Sequence, residues 1–435
     1  MNVRTVTVVG ANGTMGTNVS AIFASFGNAK VYMISRDIEK SEKAVIKAAK
    51  SVRAESIIKN LIPADYSMLS ECVAKSDVVF ESVSENIDVK LDITKKIASS
   101  LCEHAIVCSG TSGLSITRLA ECFPEKMRSH YFGVHMFNPP YNMTLCELIK
   151  TKYTQPDVLE SLKKYLQCTL FRTVVETKDS PAFLANRIGF QFINEAMQYA
   201  EIYKDNGGID YIDNILGSFT GRAMPPLSTA DFVGMDVHEA IVDNVYKNSN
   251  DYAHHTFALP TFAQKLIAER KLGRKTGQGL YKMEIHAGNV KRLMVYDINT
   301  HAYRDKMHHI FPFAEEMKKY IKYGDYDSAF LALINNRSQE AEICLHFLLS
   351  YIVYALKTTE DVAYNIHAAD AAMATGFNWC PPLAMIDALS TVADVGVLVK
   401  ERLSSVALSE IDIDGLLANA EKSRYDYRCY FRSAK

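Results

Sequence analysis

His135 and Glu147 stand twelve residues apart, with the rigid corner Asn138-Pro139-Pro140 between them. A histidine titrates near neutral pH and can pass a proton in either direction. A carboxylate bonded to its second ring nitrogen fixes the tautomer and stabilises the imidazolium. The proline pair lets the chain turn back, so the two side chains can face each other. The plainer alternative is a buried histidine and a surface glutamate that never meet. The elements around them must decide.

Those elements alternate through residues 1–180. Strand-like runs are expected at Thr5–Val9, Lys30–Ser35, Val78–Ser82, Ala105–Ser109 and His130–His135, with helical stretches such as Met15–Phe26 and Ile38–Asn60 between them. That alternation predicts a parallel sheet with helices on both faces. From Pro181 the pattern changes to amphipathic helices, including Ala182–Asn206 and Tyr211–Leu216. Residues 181–282 form one expected helical domain, 283–334 a connector of short elements, and 335–435 a second helical domain. A weak repeat supports that division. Arg222-Ala223-Met224-Pro225-Pro226-Leu227 and Asn378-Trp379-Cys380-Pro381-Pro382-Leu383 each precede an aspartate, Asp231 or Asp387, at the same offset. A duplicated helical unit is the natural reading, although Pro-Pro helix starts also arise by chance.

The first strand runs into Gly10-Ala11-Asn12-Gly13-Thr14-Met15-Gly16 and then a helix. Glycines allow a tight turn and close approach of a pyrophosphate to backbone N–H groups at a helix N-terminus. The spacing is one residue longer than G-x-G-x-x-G, which leaves open which of Ala11, Asn12 or Gly13 touches the phosphates. The second strand ends in Ser35-Arg36-Asp37, where an acidic residue would bond the ribose of NAD. Serine and arginine instead suit a 2′-phosphate, so this loop leans toward NADP.

Composition narrows the classes. Hydrophobic content of 48% and charged content of 23% describe an ordinary globular protein. A formal charge of −2 argues against nucleic acid or an anionic membrane as partner. No uninterrupted apolar run of spanning length and no signal peptide are expected. Nine scattered cysteines without a CxxC pair fit reduced thiols, a cytoplasmic setting and no metal site.

With these motifs in order, the chain resembles the L-3-hydroxyacyl-CoA dehydrogenase family. It is most similar to the dehydrogenase portion of bacterial multifunctional fatty-oxidation proteins, without a hydratase segment within it. The resemblance is carried by the glycine turn, Glu81-Ser82-Val83-Ser84-Glu85-Asn86, Ser109-Gly110-Thr111-Ser112-Gly113-Leu114, the His135 segment, Asp179-Ser180-Pro181-Ala182-Phe183-Leu184-Ala185-Asn186-Arg187 and Arg274-Lys275-Thr276-Gly277-Gln278-Gly279. It implies a Rossmann-type α/β N-terminal domain, an all-α C-terminal region and NAD as cofactor. His135 then matches the general base and Glu147 its orienting carboxylate. Ser112 and Asn186 match the residues that hold the substrate oxygen. Glu85 and Lys90 match positions beside the cofactor, and Lys275 a lysine that closes over it. The implied substrate is an acyl-CoA thioester, with the protein a monomer or homodimer.

Four departures stand out. Gly110 replaces a family asparagine, Ala182 replaces a glycine, and Pro225 and Pro381 stand where glycine is usual. None removes the proton-transfer pair. Basic residues Lys43, Lys47, Lys50, Arg53 and Lys59 follow the second strand, in a region that lies near the CoA nucleotide in the family; a solvated helix face is the plainer explanation. Two other functions compete with the acyl-CoA reaction. One is a dehydrogenase of a free 3-hydroxy acid, separable by its indifference to CoA. The other is a catalytically idle nucleotide-binding or scaffold protein, against which the joint presence of Ser112, His135, Glu147 and Asn186 argues.

Overall fold

The computed structural model describes residues 1–286, 289–404 and 408–433. They fall into two compact units, Met1–Phe183 with Val362–Gly376, and Leu184–Asp361 with Phe377–Lys435.

The first unit is built on an eight-stranded sheet in the order β3-β2-β1-β4-β5-β6-β7-β8. Its strands are β1 (Thr5–Val9), β2 (Lys30–Ser35), β3 (Leu61–Asp65), β4 (Val78–Glu81), β5 (Ile106–Ser109), β6 (Tyr131–Met136), β7 (Leu145–Lys150) and β8 (Thr173–Lys178). Strands β1 to β6 run parallel. Strand β7 pairs antiparallel with β6, a reversal that the alternating pattern does not reveal. The helices are α1 (Thr14–Ser25), α2 (Ile38–Ser51), α3 (Leu69–Ala74), α4 (Ile87–Ala98), α5 (Ile116–Ala120) and α6 (Pro156–Cys168). The Val- and Ile-rich strands are apolar on both faces because helices cover both. Val6, Val8 and Phe80 pack on one side with Phe23 of α1 and Leu166 of α6. Val9, Val79 and Val107 pack on the other with Ile97 of α4 and Leu119 of α5. Chain order reverses where β1 lies between β2 and β4, the crevice in which such sheets bind ligands.

The second unit is dominated by helices: α7 (Ala185–Ile202), α8 (Ile209–Ile215), α9 (Pro226–Val233), α10 (Met235–Asn248) and α11 (Thr261–Ala268). The expected start of α7 at Ala182 is three residues early, because Ala182 and Phe183 hold left-handed φ values of 59° and 50°. The presumed connector forms a small sheet, β9 (Tyr281–His286), β10 (Val290–Tyr296) and β11 (Tyr303–Asp305), then helices α12 (Pro312–Tyr323) and α13 (Tyr326–Ile334). It is tied to α8 by Arg304, whose guanidinium donates to the buried Asp210 carboxylate at 2.7 and 2.9 Å.

The second repeat supplies α14 (Gln339–Val362), α15 (Ala368–Ala372), α16 (Pro382–Ser390) and α17 (Val395–Arg402). Helix α14 is long and apolar enough by length and composition to cross a membrane, and 78% of its apolar window is buried within the protein. Within the second unit the two Pro-Pro segments lie side by side. Arg222 pairs antiparallel with Trp379, and the Cys380 N–H donates to the Gly221 carbonyl at 2.7 Å. Phe192 of α7 meets Phe347 of α14 and Trp379 edge-on at 5.0 and 5.3 Å. Residues 362–376 leave this repeat and group with the first unit. Ala363 pairs antiparallel with Thr177 on β8, so this segment satisfies part of the sheet's edge.

Candidate active site

Strands β6 and β7 place His135 directly opposite Glu147. Opposed residues of an antiparallel pair project from the same face, and the His135 Nδ1 lies 2.7 Å from Glu147 Oε2. Both are buried, Glu147 completely. Phe137 and Phe183 flank the imidazole at 4.4 and 5.9 Å between centroids. The connecting corner has a cis Asn138–Pro139 bond. Asn18 of α1 donates to the Asn138 side chain at 3.0 Å, and the Arg172 guanidinium donates to the Pro140 carbonyl. An ionised glutamate is acceptor-only, so Nδ1 carries hydrogen toward it and Nε2 is the nitrogen left for chemistry. Burial pushes the neighbouring Cys146 thiol up to about 12, so it stays protonated and does not compete as a base.

His135 borders a cavity of about 390 Å³, shared with the glycine turn (Gly13, Thr14, Met15), Glu85, Gly110 and Ser112. A second cavity, of about 610 Å³, is bounded by Gly10, Asn12, Gly13, Ser35, Arg36 and Tyr66, among others. Gly13 and Ser82–Ser84 line both. The turn fits a dinucleotide. Gly10 has φ +83°, and a Cβ there would strike the Ser82 carbonyl. A Cβ at Gly16 would strike the Gly10 carbonyl, so Gly16 lets α1 pack against the turn. Gly13 caps α1 without a side-chain bond, which leaves the first-turn N–H groups facing the cavity as an anion site. The Ala11 N–H donates to the Ile34 carbonyl at 2.9 Å and the Gly13 N–H to the Gly10 carbonyl at 3.1 Å; of the three residues left open, Asn12 and Gly13 border the larger cavity.

Two residues expected at the cofactor have partners within the protein. The buried Ser35 hydroxyl is turned inward, 2.6 Å from Ser41 Oγ and donating to the Asp37 carbonyl at 2.8 Å. Asp37 caps α2 and pairs with Lys40 at 2.6 Å. Both residues that pointed to a 2′-phosphate, Ser35 and Arg36, border the larger cavity. Lys90, expected beside the cofactor, is buried at 1% exposure. Its ammonium donates to Glu81 at 2.9 and 3.2 Å and lies 3.4 Å from Glu85. Glu81 also accepts from Ser109 Oγ at 2.8 Å and the Val83 N–H at 2.7 Å. A burial this deep holds a charge only when it is paired and hydrogen-bonded. Glu81 was not singled out from the sequence; a carboxylate ending an apolar strand nine residues before a lysine is the signal that marks it.

Ser112 sits in the loop between β5 and α5, and Glu85 accepts from its N–H at 2.8 Å and its hydroxyl at 3.1 Å. Asp179 secures the loop's far end, accepting from Ser115 Oγ and the Ile116 and Thr117 N–H groups at 2.8–2.9 Å. The Gly110 departure has a steric cause, since a Cβ there would lie 2.8 Å from the Phe80 ring. Asn186 and Lys275 belong to the second unit. Asn186 is buried in the first turn of α7. Lys275 lies in the 274–276 turn and pairs with Asp236. Among the described residues, no group of three or more potential metal-binding side chains occurs.

Residues 5–180 match the family model described as 3-hydroxyacyl-CoA dehydrogenase, NAD binding domain. Residues 183–283 match 3-hydroxyacyl-CoA dehydrogenase, C-terminal domain. A probable 3-hydroxyacyl-CoA dehydrogenase of Bacillus subtilis (strain 168) is 29% identical over 418 residues, covering 89% of this chain but 51% of the relative. The chain thus spans about half the length of that protein. The mitochondrial hydroxyacyl-coenzyme A dehydrogenase of Sus scrofa is 31% identical over 294 residues, 64% of this chain and 91% of the relative. The crystal structure of 3-hydroxybutyryl-CoA dehydrogenase from Escherichia coli K12 shares the fold over 95% of this chain and all of that one, with a TM-score of 0.68 at 21% identity.

Proposed function

Because this chain belongs to the 3-hydroxyacyl-CoA dehydrogenase family, we propose that it interconverts L-3-hydroxyacyl-CoA and 3-ketoacyl-CoA with NAD, in fatty-acid or related acyl-CoA metabolism. The observation that carries this reading is the 2.7 Å His135–Glu147 bond beside a cavity shared with the glycine turn. NAD would be held at the glycine turn, beside Asn12, Gly13 and Arg36, and would supply the hydride acceptor for C3 of the substrate. His135 Nε2 takes the proton from the 3-hydroxyl, and Glu147 stabilises the imidazolium that results. In reverse, the imidazolium returns that proton to the developing alkoxide. Ser112 holds the oxygen with a neutral hydrogen bond, which positions it without fixing its charge. Free thiols at all nine cysteines support a reducing, cytoplasmic setting.

The test is a spectrophotometric assay of NADH and NADPH oxidation with acetoacetyl-CoA, longer 3-ketoacyl-CoAs and free acetoacetate. Oxidation with the thioesters and none with the free acid supports the proposal. Equal rates with both would move the function to a free 3-hydroxy acid.

A further inference from the structure

In a sheet of this kind the adenosine ribose of a dinucleotide lies against the end of the second strand. An acidic side chain there bonds the ribose 2′-hydroxyl and repels a 2′-phosphate. Here that position is Ser35, which carries no charge and whose hydroxyl is bonded to Ser41 and the Asp37 carbonyl. The nearby acids are committed elsewhere. Asp37 accepts from the Lys40 N–H at 2.9 Å and the Lys40 ammonium at 2.6 Å. Asp65, in register with Ser35 at the end of β3, accepts from the Ser67 N–H and hydroxyl at 2.9 and 2.6 Å. Neither is among the residues that border the larger cavity. The two acids that do border it, Asp88 and Asp92, belong to α4, and Asp92 is paired with Lys96 at 2.8 Å.

Arg36 follows Ser35 and borders the same cavity. Its side chain is exposed, and among the described residues it makes no hydrogen bond or ion pair. Tyr66 also borders this cavity; burial raises the pKa of its phenol, and the Arg36 charge opposes that rise. A guanidinium offers five N–H donors in a planar fork that matches a phosphate.

We infer that Arg36 is a specificity-determining residue that receives an adenosine 2′-phosphate, so that this chain binds NADP(H) as well as NAD(H). The inference rests on the proposed nicotinamide-linked reaction. The glycine turn meets the pyrophosphate that both cofactors share, so the choice between them falls to the end of β2. There an attractive cation is present and the repelling carboxylate is missing.

The test is binding of each cofactor to the full chain by fluorescence titration, with no thioester present. Wild type should bind NADPH with a Kd within about tenfold of that for NADH; a wider gap in favour of NADH would overturn the inference. Arg36→Ala should weaken NADPH binding by about 10- to 100-fold. NADH binding should weaken less, by a few-fold, because the side chain borders the cavity that takes both. The ratio of the two Kd values is therefore the readout. A rise of about tenfold or more in the variant supports the inference, and a smaller change sinks it. Competition against NADH reads the same contact without the nicotinamide half. 2′,5′-ADP should displace NADH from wild type at lower concentration than 5′-ADP, and should lose that advantage in Arg36→Ala. Equal displacement from wild type would count against the 2′-phosphate contact. A protein that binds both cofactors yet reduces no 3-ketoacyl thioester would overturn the proposed function and leave this inference standing.

Discussion

Both units bury charge, but they do so in different places. In the first unit two buried ion pairs stand beside the cavities: Glu81, at the end of β4, pairs with Lys90, and His135, near the end of β6, pairs with Glu147. Each of these pairs reaches a cavity, through Glu85 beside Lys90 and through His135 itself. In the second unit they join element to element. Arg187 of α7 donates to Asp251 at 2.8 and 2.9 Å, and Tyr354 of α14 donates to the same carboxylate at 2.7 Å. Arg222 is fully buried; its guanidinium donates to the Thr220 carbonyl at 3.0 Å and lies 3.8 Å from the Phe192 ring centroid and 4.8 Å from that of Trp379. Burial lowers its pKa to about 10, still charged at neutral pH. The contrast teaches that a buried charge marks chemistry only when its free side opens on space. Otherwise it fastens the fold.

The contrast can be broken or sharpened by substitution. Glu147→Gln keeps shape and removes the charge facing the imidazolium. Turnover should fall by about 10²- to 10³-fold with the melting temperature little changed, as measured by steady-state kinetics and calorimetry. Arg222→Ala should do the opposite. Loss of the cation–π contacts and the cavity left behind should cost about 3 kcal/mol in urea unfolding, while kcat per folded molecule holds. Equal kinetic damage from both variants would erase the distinction between the units.

Acid offers a third lever. His238 is buried in the second unit, 2.9 Å from Asn194 Oδ1, and burial depresses its pKa from the ordinary 6.5 to about 3. The unfolded chain therefore binds this proton first. Stability from this site is complete above pH 6.5 and is lost as pH falls toward 3, at about 1.4 kcal/mol per pH unit. His238→Asn should flatten that slope in denaturation series run at successive pH values; an unchanged slope would place the acid sensitivity elsewhere. The smallest effect is expected from Ala182→Gly. Ala182 holds φ +59°, which costs about 1–2 kcal/mol. Relief of that strain, offset by the lost buried methyl, should raise stability by less than about 1 kcal/mol.

The parts of this molecule legible in its sequence are those governed by local pattern. Apolar runs at strand spacing located β1, β2, β4, β5 and β6, and the glycine turn announced the crevice beside β1. The cross-strand meeting of His135 and Glu147 was legible because a proline corner separates them by a hairpin's length. What stayed hidden depends on tertiary placement. Strand β3 contains Pro63, and β8 mixes Thr and Glu with Val, so neither has a clear apolar signature. The departure of residues 362–376 from their repeat depends on the edge they find at β8, which no local pattern contains. Ser35 and Lys90 also have protein partners, Ser41 and Glu81, that no local pattern announces.

The central claim is that His135 transfers the proton in a nicotinamide-linked reaction of a 3-hydroxyacyl thioester. Its most direct test compares wild type with His135→Gln on acetoacetyl-CoA and NADH, with cofactor binding measured on the same samples. The account expects rapid NADH oxidation by wild type and a fall of about 10⁴-fold in the variant, with NADH affinity retained. A variant as active as wild type, or a wild type that oxidises no NADH with any thioester, would contradict it.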